Sequence, residues 1–188
     1  MKNIDSHTTH SVPKSMVQCY KVSCSDRLYA GEYPGAINED EAHARIQQLY
    51  DMGIRHFVDL TEEEELRPYA SYLPKGVTHR RFAICDCSAP PRIEDMHRIV
   101  EYLEDAQNWG GDVYVHCWGG IGRTGTVVAC YIAKNMHLTS YETALEHLIK
   151  DYIVMPKATY RDSPETFGQL EFIKRFVASI SQSASNDR

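Results

Sequence analysis

No stretch of this chain stays apolar for long. The longest strongly apolar run, Thr126–Ala133, is eight residues, where a helix needs about 20 to cross a bilayer. Basic residues do not dominate either. Lys plus Arg is 20 and Asp plus Glu is 26, a formal net charge of −6. That excludes a general nucleic-acid binder, which carries a basic face, and leaves open only a local basic pocket. The opening residues MKNIDSHTTHSVPKS lack the apolar core of a secretory signal, so no such leader is expected. No Asn-x-Ser/Thr acceptor occurs. The cysteines are six: Cys19, Cys24, Cys85, Cys87, Cys117 and Cys130. In a chain of this length without a leader they read as free thiols of a reducing, cytoplasmic compartment. Collagen-like, disordered and small disulfide-stapled chains are excluded by the same composition. What remains is 188 residues, 43% of them hydrophobic, enough for one domain with a buried core.

The ends are polar and without periodicity. The expected organisation is a flexible tail at residues 1–15, one domain at 16–180 and a second flexible tail at 181–188, the loss of pattern setting in near Ser179. Between them helix and strand signals alternate. Glu39–Met52 reads as a helix with Ala42, Ile46, Leu49 and Tyr50 on one face and Gly53 as its stop. Arg55–Leu60 and Thr78–Ile84 read as short strands. Arg92–Trp109 is an amphipathic helix closed by Gly110-Gly111, and Asp112–His116 is a further strand. Thr124–Asn135 is apolar nearly all round and is expected as a buried central helix. Tyr141–Lys150 is helical, and a last helix is expected to begin at Ser163-Pro164-Glu165, with proline in its first turn. Strands separated by helices predict an α/β layer fold with a mostly parallel central sheet flanked by helices.

The loop after the third of these strands is His116-Cys117-Trp118-Gly119-Gly120-Ile121-Gly122-Arg123-Thr124-Gly125, and three readings of it compete. Gly120–Gly125 satisfies the G-x-G-x-x-G pattern of dinucleotide sites. No strand signal comes after the buried helix, however, and that reading leaves Cys117 without a role. A second reading is structural, with glycines for close packing and a cysteine as a small buried hydrophobe. The third takes all the residues together. Cys117 and Arg123 are separated by five residues, three of them glycine, a loop that can curl around one tetrahedral oxyanion. Its amides and the N-terminus of the next helix would face the anion. Arg123 would close the ring with a planar fork, and the same positive environment would favour Cys117 as a thiolate nucleophile. A Walker loop is excluded because no Gly-Lys-Ser/Thr occurs.

His-Cys-x5-Arg-Thr-Gly after a strand resembles the active-site signature of the cysteine-based protein tyrosine phosphatases. The short chain is most similar to their dual-specificity branch, to small members of the kinase-associated-phosphatase-like and bacterial kind. The resemblance runs over about residues 27–176 in element order. It implies a metal-free and cofactor-free phosphatase with a cysteinyl-phosphate intermediate. Cys117 would be the nucleophile and Arg123 the substrate-binding and charge-stabilising group. Trp118, Gly119, Gly120, Ile121, Gly122 and Arg123 would form the phosphate-binding loop. Thr124 would assist departure of the thiolate, and could also cap the helix. His116 would hold the loop. The family places a general acid on a loop some thirty residues upstream, and Asp86 stands at that place in Cys85-Asp86-Cys87-Ser88. Asp95, inside a helix, and Asp112, opening the nucleophile strand, are its rivals. Gln169 is the family's candidate for orienting the hydrolytic water, and an exposed helix residue is its alternative.

Other features suggest less. Glu62–Glu65 reads as a solvated acidic run. Cys85-x-Cys87 lacks a second ligand pair for zinc. Alternation along an extended segment would put those two thiols on the face opposite Asp86. The implied substrate is a phosphorylated protein, carrying phosphotyrosine and in addition phosphoserine or phosphothreonine, taken by a monomer without a membrane span. Three alternatives remain: a phosphoprotein-binding pseudophosphatase, a phosphoinositide phosphatase and an RNA 5′-phosphatase. The loop's lack of lysine weighs against the inositide, and the net charge against RNA.

Overall fold

The computed structural model describes residues 16–186, without side-chain placement for 183–186. The expected N-terminal tail, 1–15, lies outside the described residues. Five strands form one sheet in the order β1-β2-β5-β3-β4. They are β1 (Cys19–Lys21), β2 (Leu28–Gly31), β3 (Ile54–Asp59), β4 (Thr78–Arg81) and β5 (Asp112–His116). The β2–β5, β5–β3 and β3–β4 pairs are parallel and only β1–β2 is antiparallel. The mostly parallel α/β fold expected from the alternation is therefore present. The hairpin strand β1 is too short, at three residues, to show a period.

Alternation along the strands divides the core. Val113 and Val115 of β5 point into a large cluster with Met96, Leu103, Val127 and Phe176, whereas Tyr114 points the other way, toward Ile46, Leu49 and Phe57. Helix α1 (Glu39–Asp51) covers that second face. Asn38 caps it by accepting from the Glu41 amide at 3.0 Å, and three acids fill its first turn. Helices α2 (Ile93–Asn108), α3 (Gly122–Asn135), α4 (Tyr141–Tyr152) and α5 (Phe167–Asn186) belong to the larger side. Every residue of α3 from Gly122 to Ala133 is buried, because the sheet lies on one side of it and α4 and α5 pack on the other.

Three expectations are corrected. The helix after the glycine loop begins at Gly122 rather than Thr124, with Ile121 at the cap position, so Thr124 sits inside the first turn and is not a cap. The last helix begins at Phe167, not at Ser163, because Thr166-x-x-Gln169 forms a capping box. The Gln169 amide donates to Thr166 Oγ1 at 3.2 Å and the Thr166 amide donates back to Gln169 Oε1 at 3.1 Å. The same helix continues to Asn186, through most of the stretch expected as a tail. The Ser179 and Ser181 hydroxyls donate to the carbonyls of Phe176 and Val177, so these polar side chains are satisfied within the helix itself.

Candidate active site

The parallel strands β2, β5 and β3 end on one edge of the sheet, and β5, at the centre, leads into the glycine loop. Ligand sites of open α/β sheets lie at this carboxyl edge. The element after α3 is α4, not a strand, so the βαβ unit of a dinucleotide site is missing.

The loop carbonyls are turned outward onto named donors. Cys117 O lies 3.1 Å from His116 Nδ1, Trp118 O accepts from the Tyr33 amide at 2.9 Å, and Gly119 O accepts from Lys157 Nζ at 2.8 Å. Ile121 O accepts from the Ser163 hydroxyl at 2.8 Å. In a planar trans peptide the N–H points opposite to the C=O. The amides of Trp118, Gly119, Gly120 and Gly122 therefore face the concave side, an arrangement suited to an anion. Gly120 has φ +69°, and a Cβ there would stand 2.3 Å from the Gly31 carbonyl carbon, so no other residue fits.

The pocket inside this loop holds about 340 Å³ and brings together Cys117, Asp86, Arg123 and Glu165, with Trp118 and Tyr160 at its mouth. Cys117 is 3% exposed, at the floor. Arg123 is buried, and both terminal nitrogens are engaged. Nη1 and Nη2 donate to Glu65 Oε2 and Oε1, each at 2.6 Å, Nη1 also donates to Ile84 O at 3.1 Å, and Nη2 stands 2.9 Å from Asp86 Oδ1. Burial pulls the guanidinium pKa down. The Glu65 hydrogen bonds and the charges of Cys117 and Asp86 outweigh it and raise the pKa. The Arg123 bonds correspondingly hold the Glu65 carboxyl below the usual carboxylate range.

Glu65 belongs to the run expected to be solvated. Its three neighbours are exposed, but a turn in which the Glu65 amide donates to Glu62 O at 3.3 Å aims this one carboxylate inward. Tyr69 is also unforeseen. Its hydroxyl lies 2.6 Å from His116 Nε2. Because Cys117 O can only accept, the proton of His116 sits on Nδ1 and Tyr69 donates to Nε2. Burial lowers the His116 pKa to about 4, so the ring is neutral and its two bonds fix the orientation of the strand end carrying Cys117.

Of the expected acids, only Asp86 reaches the pocket. Asp95 is held by Arg92 at 2.8 Å and Arg98 at 3.2 Å on α2, and Asp112 is at the opposite end of β5. The turn Cys85–Ser88, with φ +57° at Cys87, breaks the expected alternation and brings Cys87 into the pocket wall beside Asp86. Thr124 Oγ1 is buried without a hydrogen-bond partner, a donor available to a group not yet bound. Gln169 is buried, not an exposed helix residue. Its Oε1 accepts from the amides of Glu165 and Thr166, and its Nε2 donates to Ser88 O at 3.0 Å, tying α5 to the Asp86 turn. A Cβ on Gly122 would meet this side chain at 2.8 Å. Among the described residues no group of three or more His, Cys, Asp or Glu side chains is placed to hold a metal, and no helix is long and apolar enough to cross a membrane.

The chain is similar to known phosphatases. The profile of a family described as "Swiss Army Knife protein, DSP-PTPase phosphatase domain" matches residues 34–158. The rat protein named phosphatidylglycerophosphatase and protein-tyrosine phosphatase 1 is 30% identical over 143 residues, 74% of this chain and 69% of its own length. A putative tyrosine phosphatase of Invertebrate iridescent virus 3 is 31% identical over 165 residues, 83% of this chain and 64% of its own length. Among solved structures, kinase associated phosphatase superposes with a TM-score of 0.69 at 20% identity, covering 89% of this chain and 98% of that one. The active form of Tk-PTP gives 0.67 at 24%, over 83% and 95%. These two likenesses concern the fold. With more than half of the chain inside the family profile and the phosphate-loop pattern at residues 116–125, the chain belongs to the cysteine-based dual-specificity and protein-tyrosine phosphatase family.

Proposed function

We propose that this phosphatase acts on phosphorylated proteins, on phosphotyrosine and in addition on phosphoserine and phosphothreonine, by two displacements at phosphorus. In the first, Cys117 Sγ attacks in line, the bond from phosphorus to the leaving oxygen breaks, and Asp86 gives that oxygen its proton. In the second, water adds to the cysteinyl-phosphate, Asp86 takes its proton, and the S–P bond breaks to return the thiolate and inorganic phosphate. Arg123 and the inward amides hold the equatorial oxygens throughout. Thr124 donates to the departing sulfur. Gln169 positions the Asp86 turn through Ser88 O, and its side chain lies against Gly122 of the phosphate loop.

The observation that carries this reading is the convergence of Cys117, Arg123 and Asp86 on one pocket, with Asp86 Oδ1 2.9 Å from Arg123 Nη2. A phosphoprotein-binding pseudophosphatase would not need the acid. The relative's name includes a lipid phosphatase. The pocket cations argue for protein instead. Lys157 Nζ is 2.8 Å from Glu32 and Arg161 is 2.6 Å from Glu165, so each already has a carboxylate partner that a second phosphate or an anionic headgroup would have to displace. The test is steady-state turnover of an aryl phosphate in chelator and reductant by wild type and Cys117→Ser, with acid-quench trapping of the phosphoenzyme. Turnover and trapping by wild type alone support the reading. Equal turnover by Cys117→Ser refutes the mechanism, and binding without turnover by wild type establishes the pseudophosphatase.

A further inference from the structure

A second concavity adjoins the catalytic pocket. It holds about 260 Å³, and its apolar walls are Leu145, Ile149, Ile153, Ala158, Pro164 and Leu170. Arg161 lines both concavities, so one side chain stands between them. Ile149 and Ile153 are one helical turn apart and 53% and 69% exposed. Val154 and Phe167, flanking the recess in sequence, are also exposed. Single exposed aliphatics are ordinary, but a recess lined by them beside a catalytic pocket marks a binding surface.

We infer that this recess is a specificity subsite for an apolar side chain of the substrate, one that flanks the phosphorylated residue in the same polypeptide. The inference rests on the phosphoprotein reading above. Three observations select a peptide side chain as occupant. The recess shares Arg161 with the phosphate site, so a chain anchored there by its phosphate need only cross that one side chain to reach it. Its volume lies below the roughly 300–1,000 Å³ of sites for drug-sized ligands, room for one large aliphatic side chain and not for the two chains of a diacyl lipid. Its charges are also wrong for a membrane. Arg161 is paired with Glu165, Asp162 lines the wall, and the chain carries a net −6, whereas attachment to anionic lipid uses clusters of free Lys and Arg. Arg161 thus acts as a neutral ridge, its stem presenting apolar surface to both sides.

The subsite is tested with phosphotyrosine peptides in which a single Leu is moved through each flanking position of an alanine background. Wild type should gain roughly tenfold in kcat/KM at one position, the size expected when about half of a leucine's apolar transfer is realised. The gain should lie mainly in KM, because the contact is equal in ground and transition states. Ile153→Asp, at an exposed position, should abolish that gain and leave turnover of p-nitrophenyl phosphate within about twofold of wild type. Ile149→Ser should reduce the gain partially. A flat leucine scan with normal p-nitrophenyl phosphate turnover overturns the subsite and leaves the phosphatase mechanism standing. Vesicles of phosphatidylglycerophosphate hydrolysed faster than every peptide, with loss of that rate in Ile153→Asp, overturn it in favour of an acyl groove. Absence of turnover on all phosphopeptides overturns both this inference and the reading beneath it.

Discussion

Acid should destabilise this protein through one buried imidazole. His116 is fully buried, with Nδ1 3.1 Å from Cys117 O and Nε2 2.6 Å from the Tyr69 hydroxyl. Burial lowers its pKa from 6.5 to about 4. Asp59 and the Cys117 carbonyl pull upward, and His79 and Arg81 pull down. Between those two values the unfolded chain carries a proton here that the native chain does not. Stability therefore rises with pH across the window and is lost as pH falls through it. The full gap is worth about 3 kcal/mol, of which about 2 kcal/mol falls between pH 7 and pH 5. Asp59 and Glu65 have lowered pKa values, so their contributions are present above the unfolded carboxylate value and fade only below about pH 4. They leave the pH 5–7 window to the imidazole. Urea unfolding at pH 7, 6 and 5 should be compared between wild type and His116→Asn. The asparagine amide can still donate toward Cys117 O but strands the Tyr69 hydroxyl, lowering stability at every pH by about 1–3 kcal/mol. The informative quantity is the slope, which should be about 2 kcal/mol shallower over pH 7 to 5 in the variant. Parallel slopes in the two proteins would refute the argument that His116 is neutral and desolvated in the native state.

Arg123→Lys should lose nearly as much kcat/KM on an aryl phosphate as Arg123→Ala, because an ammonium keeps the charge but not the two-pronged geometry; recovery of most of the rate by Lys would mean that charge alone suffices. Asp86→Asn should lower turnover by roughly 10²–10⁴-fold on substrates with poor leaving groups. A plot of rate against leaving-group pKa should show that loss shrinking as the leaving group becomes more acidic, and an equal loss across the series would point to a different acid. Glu65→Gln removes the carboxylate that takes both Arg123 nitrogens, at a cost on the order of 2 kcal/mol in thermal or urea stability. Because the effect reaches the substrate through Arg123, KM for inorganic-phosphate-like substrates should change along with kcat, whereas simple destabilisation would leave kcat of the folded fraction unaltered.

How much is legible in the sequence depends on how local each interaction is. The pattern of the phosphate loop lies within residues 116–125 and involves only a strand before it, glycines within it and a helix after it, so it is open to local reading, and the resemblance of the whole signature then decides among the readings. Helices α1 and α2 show their apolar faces over three turns or more, and their expected ends agree with the observed ones within a residue. Asp86 is reachable through the family's spacing, but its approach to Arg123 depends on the tight turn at Cys85–Ser88, which alternation does not anticipate. The start of α5 is harder to place because proline draws the assignment to residue 164, although Thr166-x-x-Gln169 is present as a capping pattern.

Glu65 and Tyr69 show where local reading runs out. Nothing in four consecutive glutamates distinguishes the last from the others, and periodicity assigns all of them to solvent. The distinction is made by Arg123, 58 residues further on. A guanidinium that is 2% exposed cannot remain buried without an anion, so a carboxylate had to be brought to it from somewhere. The turn that pairs Glu62 and Glu65 supplies it, with the Glu62 amide donating at 3.1 Å to the same Glu65 oxygen that Arg123 Nη1 binds. Tyr69 obeys the same logic one layer below. A buried imidazole that donates from Nδ1 leaves Nε2 as an acceptor, and an unfilled acceptor there would be costly. Placing Arg123 and His116 inside the core therefore implies two further partners whose identity is settled by packing, not by the pattern of residues that reveals the loop.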